Sequence, residues 1–228
     1  MHRLSRLPLA LALCLSAGLA AAQQTAAPNR QPAQIAPPGP VARYVAAARL
    51  LPRGFAAEDP LTVLAAVRLA RGVTLRPAIG WQATPDPGPA PDPGPGLPRD
   101  PGSADATLVL AMMVEGDEDL ELTADELLAD PPGRAGGAAS QATGLGPDAA
   151  QSWTLPFYGA APAEIGLIGL SGPGLTLRVT DAAGAEICAE APADPAALCA
   201  FTPAENGWFS IELRNGSAAA AGYLLLTN

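Results

Sequence analysis

The sequence predicts a mixed α+β chain with short N-terminal helical segments, a linker rich in proline and glycine, and a C-terminal antiparallel β-sandwich with one disulfide. Three observations lead to this prediction. Apolar residues recur at helical spacing between residues 40 and 71. Eight of the 23 residues from Gln82 to Ala104 are proline. After Gln151, apolar residues alternate in short runs that turn residues separate, which is typical of strands with one buried face.

The N-terminus has the pattern of a cleaved secretory signal peptide. A basic start precedes an apolar run from Leu7 to Ala20, and small residues follow before Gln23. We therefore predict a signal peptide at residues 1–22 and a disordered leader at residues 23–39. The protein is then expected to be periplasmic or secreted, without membrane insertion after signal cleavage.

Signal cleavage would also remove His2, the one histidine of the chain, and Cys14, the odd one of three cysteines. A mature chain without imidazole cannot use a Ser-His-Asp or Cys-His mechanism, or hold a histidine-ligated zinc. We therefore predict no enzyme activity, no cofactor and no metal site. All basic residues are arginines, and the chain carries a net charge of −9, which disfavours a basic surface for nucleic acid.

Residues 40–81 are predicted to form a helical segment. A first helix starts at Pro40 and ends near Pro52, because proline suits a first helical turn and disrupts later ones. A second helix spans Pro60 to Arg71, with a capping aspartate before it and a glycine after it. Two such helices bury too little apolar surface to be stable alone, so they must dock elsewhere or oligomerise. The oligomeric state stays open.

Two stretches are predicted to be linkers. Residues 82–104 have polyproline character, and we interpret them as a spacer, with a proline-rich ligand for aromatic grooves as the alternative. Residues 131–150 are mainly small residues that lead into the β region.

Residues 105–130 are predicted to be helical and acidic. One helix runs from Asp105 to Val114, and a capping box at Thr123 to Glu126 starts a second, short one. Glu115 to Asp130 holds eight acidic residues and no basic one. Leucines occupy the positions where a calcium loop needs glycine and glutamate. Two interpretations therefore remain, a solvated acidic face and a weak divalent-cation site.

The β-sandwich domain is predicted to span residues 151–228 and to contain seven strands. They are placed at 153–158, 164–170, 175–180, 185–189, 199–202, 207–214 and 222–227. Asp181 and Gly184 have the residue types of a tight turn between the third and fourth strands. Cys188 and Cys199 are expected to form a disulfide in an oxidising compartment, and a redox-active pair is the alternative.

This region resembles a bacterial pre-peptidase C-terminal domain. The resemblance lies in the order of the segments Trp153-Thr154-Leu155-Pro156-Phe157, Ala163-Glu164-Ile165, Leu175 to Asp181, Gly184, Ile187-Cys188, Cys199 to Pro203, and Gly207-Trp208-Phe209. It implies a compact β-sandwich of a kind found beside secreted peptidases and also without them. Members often carry Asp-x-Asp-Leu where this chain has Gly174-Leu175-Thr176-Leu177, so the resemblance does not extend to a cation site.

These observations predict an exported, non-catalytic binding or assembly protein of the bacterial envelope, whose partner is an unidentified envelope protein or a glycan. Trp208 and Tyr223 are the candidate binding surface. One alternative is an accessory protein of a secreted peptidase. A second is a glycoside hydrolase that uses carboxylates alone. Its candidate residues are Glu164, Glu186, Glu205 and Glu212.

Overall fold

The computed structural model of the chain describes residues 27–33, 36–89, 91, 96–129, 136–190 and 195–228. The predicted signal peptide at residues 1–22 lies outside this part. The described part contains four helices and two five-stranded sheets, whose facing sides enclose one apolar core. The structure confirms the mixed α+β class, the sandwich and the disulfide between Cys188 and Cys199.

The helices precede most of the strands in the chain. The helices are α1 (Pro40–Ala56), α2 (Pro60–Arg71), α3 (Ala104–Val114) and α4 (Glu118–Ala129). The strands are β1 (Thr74–Pro77), β2 (Ala83–Thr84), β3 (Gly137–Leu145), β4 (Ala150–Phe157), β5 (Ala163–Ser171), β6 (Leu175–Asp181), β7 (Glu186–Glu190), β8 (Ala196–Phe201), β9 (Gly207–Asn215) and β10 (Ala221–Thr227).

Sheet I has the strand order β1-β3-β10-β5-β8, and sheet II has the order β2-β4-β9-β6-β7. Neighbouring strands are antiparallel except for β1 and β3. The seven predicted strands correspond to β4 through β10. The predicted turn at Asp181 is also present, since its carboxylate accepts hydrogen bonds from the N–H groups of Ala183 and Ala185, and Gly184 has a φ of 80°.

The prediction of a linker at residues 131–150 was wrong where β3 lies. β3 is an inner strand of sheet I, and it pairs with β1 from Gly137 to Ser140 and with β10 from Ala139 to Leu145. Its small residues give only a weak apolar pattern in the sequence. Strands on both sides nevertheless pair with its backbone N–H and C=O groups, because these hydrogen bonds do not depend on the side chains. Ala138 is fully buried there beneath α1.

The proline-rich stretch 82–104 is not a free spacer where it is described. β2 pairs with β4, and the carbonyl of Gly88 accepts a hydrogen bond from the Thr143 hydroxyl at 2.5 Å. The carbonyl of Pro85 accepts another from the Gln151 amide at 2.9 Å. Proline removes N–H donors but leaves carbonyl acceptors, so such a segment can attach to a sheet edge through its oxygens.

The leader predicted to be disordered at residues 23–39 also contacts the sandwich where it is described. The Asn29 N–H donates to the Asp181 carboxylate at 2.8 Å, and the Arg30 guanidinium donates to the Ile187 carbonyl at 2.8 Å. The Gln31 N–H donates to the Thr202 carbonyl. The segment has few apolar side chains, and these hydrogen bonds order it instead.

Two helix boundaries differ from the prediction. α1 continues through Pro52 to Ala56, because burial of Leu51 and Phe55 among the helices outweighs the one backbone hydrogen bond that proline removes. α4 begins at Glu118 rather than near Thr123, since Asp117 accepts a hydrogen bond from the Leu120 N–H at 3.1 Å and so caps the helix earlier.

α1 docks on the outer face of sheet I and the other helices pack beyond it, so sheet I is covered on both sides. One core lies between the sheets, a second lies between α1 and sheet I, and a third lies among the helices. A carboxylate from the sheet orients α1. Glu164 on β5 accepts hydrogen bonds from the N–H groups of Gly39, Val41 and Ala42 at 2.8, 3.0 and 3.2 Å. The free N–H groups in the first turn of α1 are thus capped by a side chain of β5 rather than by a residue adjacent to the helix in sequence.

Candidate binding surface

The most exposed aromatic side chains of the sandwich lie together where β4 ends and β9 begins. Pro156 on β4 is directly opposite Trp208 on β9 in the ladder, and both point to solvent. Trp208 is 59% exposed, and Tyr158, just past β4, is 78% exposed. Together with Phe157 and Asn206 they line a shallow depression of about 240 Å³. We call these five residues the aromatic patch.

Strand alternation explains this arrangement. Trp153 and Leu155 point into the sandwich, so Thr154 and Pro156 must point outwards. On β9, Phe209 is fully buried, and its neighbour Trp208 therefore lies on the opposite face. The outward position of Trp208 is thus fixed by the packing of the residue beside it.

A cluster of aromatic rings supports the patch from inside. The ring of Phe157 lies edge-to-face against Phe201 and Phe209, with centroids 5.8 and 5.7 Å apart, and Phe201 lies 5.1 Å from Phe209. Such contacts hold the ring planes in defined orientations. The patch therefore rests on a rigid base at the end of two paired strands.

The loop before β9 is held by hydrogen bonds to two other segments. The Asn206 side-chain oxygen accepts from the Gly159 N–H at 2.8 Å, which joins this loop to the turn after β4. Asn29, in the N-terminal segment, contacts the backbone of Glu205 twice, once as acceptor at 2.9 Å and once as donor at 3.2 Å. The N-terminal segment therefore positions one border of the patch.

The chemistry of the patch suits an uncharged ligand with a flat or extended surface. Its lining contains no acidic or basic residue, and the ring faces supply apolar contact area at a low cost in side-chain entropy. A tryptophan and a tyrosine together add an indole N–H and a phenol O–H as polar contacts.

Tyr223, the other residue predicted on the binding surface, is fully buried, so this prediction was wrong. Its hydroxyl accepts a hydrogen bond from the Trp153 indole at 3.1 Å and donates to the Gln151 amide oxygen. Burial raises the pKa of the Tyr223 phenol to about 12, against a smaller lowering by the Trp153 hydrogen bond. Tyr223 therefore links the two sheets instead of facing a partner.

Tyr158 was not among the predicted binding residues. The signal was present in the alternation of Trp153, Leu155 and Phe157, which places the next residue outwards, just before the turn at Gly159. Trp208 is exposed, as expected for a surface residue. Its aromatic neighbour in the patch is Tyr158, which follows β4, whereas the predicted neighbour Tyr223 is on β10.

The four candidate carboxylates of a glycoside hydrolase have separate structural contacts. Glu164 caps α1, as described above. Glu186 lies 3.1 Å from Arg178 and Glu212 lies 2.8 Å from Arg214, in ion pairs on the solvent face of sheet II. The N–H of Glu205 contacts Asn29.

Where it is described, the acidic stretch forms α4 and the residues that cap the N-terminus of that helix. Asp117 and Glu121 accept hydrogen bonds from backbone N–H groups at the N-terminus of α4. Across the described residues, no group of three or more histidine, cysteine, aspartate or glutamate side chains is arranged to hold a metal ion. Within the same part of the chain, no helix is long and apolar enough to cross a membrane.

The disulfide joins the edges of the two sheets. Cys188 is on β7, the last strand of sheet II, and Cys199 is on β8, the last strand of sheet I. Their Cα atoms are 6.0 Å apart. The bond therefore closes one open side of the sandwich.

No protein-family model matches the chain, and no curated protein sequence matches it either. Among solved structures, the chain is similar to the pre-peptidase C-terminal domain of a collagenase from Bacillus anthracis. The two share 15% sequence identity and a TM-score of 0.33, over 39% of this chain and 87% of that one.

Proposed function

We propose that the protein is exported and acts without catalysis, as a binding or assembly protein of the bacterial envelope. The observation that carries this proposal is the aromatic patch, in which Trp208 and Tyr158 stay exposed above a packed base of phenylalanine rings. Exposed tryptophan and tyrosine on a rigid support are typical of the centre of a binding surface.

Export is supported by the disulfide between Cys188 and Cys199. Structural disulfides form and persist in oxidising compartments and are rare where thiols are kept reduced. A periplasmic or secreted location agrees with this bond and with the signal pattern of the sequence.

A binding role fits the chemistry of the patch better than turnover does. The side chains that line it can stack on a ligand and donate hydrogen bonds, and they include no aspartate, glutamate, histidine or lysine, which are the residues most often used as general acids and bases. The ligand that this surface fits is neutral and extended, such as a polysaccharide chain or an uncharged peptide segment of an envelope protein.

The test is to compare the wild-type protein with the double variant Trp208→Ala/Tyr158→Ala. Each is incubated with isolated cell-wall polysaccharide and, separately, with envelope extract from which bound proteins are identified. We expect the wild type to bind in one arm and the double variant to lose that binding, since both ring faces are gone. Ile79→Ala is the matched control, because Ile79 is 92% exposed and does not line the patch.

Changes in tryptophan fluorescence provide a direct readout with purified material. Trp153 is buried and Trp81 is half-buried outside the patch, whereas Trp208 is exposed, so a ligand on the patch should reduce quenching of Trp208 and leave that of the other two unchanged. Recovery of a secreted peptidase in the extract arm would favour an accessory role. Equal binding by the wild type and the double variant, or no binding in either arm, would overturn the proposal.

A further inference from the structure

The helical layer has a second apolar side that the described residues leave uncovered. α2 buries Val63, Leu64 and Val67 against the other helices, whereas Leu61 and Leu69 on its opposite side are 55% and 39% exposed. Ala65 is exposed between them. An amphipathic helix usually has a single apolar stripe, so the second stripe requires a separate explanation.

α3 shows the same arrangement. It buries Ala106, Leu110 and Val114, while Leu108 and Met112 on the other side are 60% and 58% exposed. Their spacing of four residues puts them on one stripe of the helix. We call Leu61, Ala65 and Leu69 the α2 stripe, and Leu108 and Met112 the α3 stripe.

The two stripes lie in regions of opposite charge. The sequence from Pro40 to Gly72, which includes α1 and α2, holds five arginines and two acidic residues. The sequence from Ala104 to Ala129, which forms α3 and α4, holds eight acidic residues and no basic one. Arg43 and Arg68 line the depression beside the α2 stripe, whereas the exposed Asp105 lies one turn before Leu108 and the exposed Glu115 directly follows α3. The charge beside each stripe is therefore complementary to that beside the other.

The α2 stripe also has the shape of an acceptor. Ala65 and Leu69 line an apolar depression of about 520 Å³ whose other lining residues are Arg43, Arg68 and Gly72. The α3 stripe ends in a Met112 side chain, which is flexible enough to fit an irregular apolar surface. An apolar stripe with an acidic rim thus matches an apolar depression with a basic rim.

We propose that a second copy of this chain covers each stripe, with the α3 stripe of one molecule against the α2 stripe of the next. Pairing of two α3 stripes would bring two acidic rims together, and pairing of two α2 stripes would bring two basic rims together, so charge favours the mixed contact. A contact between two different surfaces leaves one of each free at the ends. It can therefore extend head to tail or close into a ring.

The proposal is tested with the full chain by analytical ultracentrifugation over a range of concentrations and at low and high salt. We expect reversible association that weakens as salt screens the charged rims. The variant Leu108→Ser/Met112→Ser removes the α3 stripe, and Leu61→Ser/Leu69→Ser removes the α2 stripe. Each should raise the dissociation constant by about tenfold or more, since each removes two apolar side chains from the interface.

Mixing the two variants separates a head-to-tail contact from a symmetric one. Each variant keeps the stripe that the other lacks, so an equimolar mixture should form a heterodimer that grows no further. Ile79→Ser is the control for an exposed apolar residue outside both stripes and should associate as the wild type does. Trp208→Ala should do so too, which keeps this test independent of the aromatic patch.

Three results would overturn the proposal. These are a wild-type protein that stays monomeric at every concentration, association that survives removal of either stripe, and a mixture of variants that fails to form heterodimers. Far-UV circular dichroism and urea midpoints equal to those of the wild type establish that the variants are folded, and a variant that fails this check is replaced by the single substitutions Met112→Ser and Leu69→Ser.

Discussion

Individual polar side chains connect parts of the molecule that lie far apart in the sequence. Trp153, Tyr223 and Gln151 form a buried chain of hydrogen bonds between the two sheets, and Gln151 extends it to the carbonyl of Pro85. Sequence alone indicates the strand that carries Tyr223 but not the partner of its hydroxyl, because that partner is 72 residues away. A buried tyrosine and an exposed one have the same residue type, and only the pairing of the strands distinguishes them.

The raised pKa of Tyr223 predicts a loss of stability at alkaline pH. A tyrosine in the unfolded chain titrates near pH 10, whereas burial raises the pKa of Tyr223 to about 12 in the folded protein. The contribution is complete below pH 10 and is lost as the pH rises towards 12, because the unfolded state releases its proton first. We expect the free energy of unfolding in urea to fall over this interval.

The substitution Tyr223→Phe should reduce that pH dependence. It should also lower the free energy of unfolding at neutral pH by about 1–3 kcal/mol, since the buried indole and amide lose their partner. Burial raises the pKa of Tyr44 as well, so part of the slope should persist until Tyr44→Phe is added. An unchanged slope in Tyr223→Phe would contradict the assignment.

Glu164 provides a second prediction at this scale. Glu164→Gln places an amide NH₂ where a carboxylate oxygen now accepts hydrogen bonds from α1, and it removes a negative charge from the N-terminus of the helix. We expect a loss of about 1–3 kcal/mol in the free energy of unfolding, with faster hydrogen exchange at Val41 and Ala42. The matched control Glu212→Gln disrupts a more exposed ion pair with Arg214 and should cost less than about 1 kcal/mol.

At the scale of elements, the docking of α1 buries the outer face of sheet I. All seven residues of β10 are buried, because Tyr223 and Leu225 face the sandwich core while Leu224 and Leu226 face α1. A continuous apolar run is typical of a strand covered on both sides. The apolar run predicts this strand at residues 222–227 but does not say which element covers its second face.

Gly166 on β5 allows α1 to approach the sheet closely. A Cβ atom there would lie 2.7 Å from a methyl group of Val41 and 2.9 Å from one of Val45. Valine side chains in a helix have little freedom to move away. Gly166→Ala should therefore displace α1 and lower the free energy of unfolding by about 1–3 kcal/mol.

Gly169→Ala on the same strand is the control for this substitution. Its Cβ would meet its nearest neighbours at 3.5 and 3.7 Å, which is ordinary van der Waals contact. We expect little change in the urea midpoint. Equal effects of the two substitutions would show that the loss arises from the strand and not from the helix above it.

For the molecule as a whole, the apolar pattern predicted the seven strands β4 to β10 and the helix α2, and the two cysteines of an exported chain predicted the disulfide. The parts that it missed, β1, β2 and β3, have short or small-residue sequences, and their stability comes from strands to which they pair across 60 or more residues. In the aromatic patch, Trp208 was predicted and Tyr158 was not, because the patch also depends on pairing between distant strands. Trp208 follows from local alternation, but its association with Tyr158 depends on the register between β4 and β9.

The position of the disulfide predicts where the sandwich opens first when it is reduced. Cys188 and Cys199 lie on the two edge strands β7 and β8, so reduction removes the covalent link between the sheets at that side. The double variant Cys188→Ala/Cys199→Ala should lose about 3 kcal/mol in the free energy of unfolding, on the loop-closure estimate. Hydrogen exchange should increase most in β7 and β8, and uniform protection across both sheets would contradict this.

The strand order of sheet I also has a consequence for biogenesis. Residues 221–227 lie between β3 and β5, so a nascent polypeptide cannot complete this layer while that segment is still inside the ribosome. Contacts that span so much of the chain also form slowly. Until that segment has left the ribosome, β3 and β5 lack the strand that pairs with both of them, so sheet I is the last part of the molecule that can close.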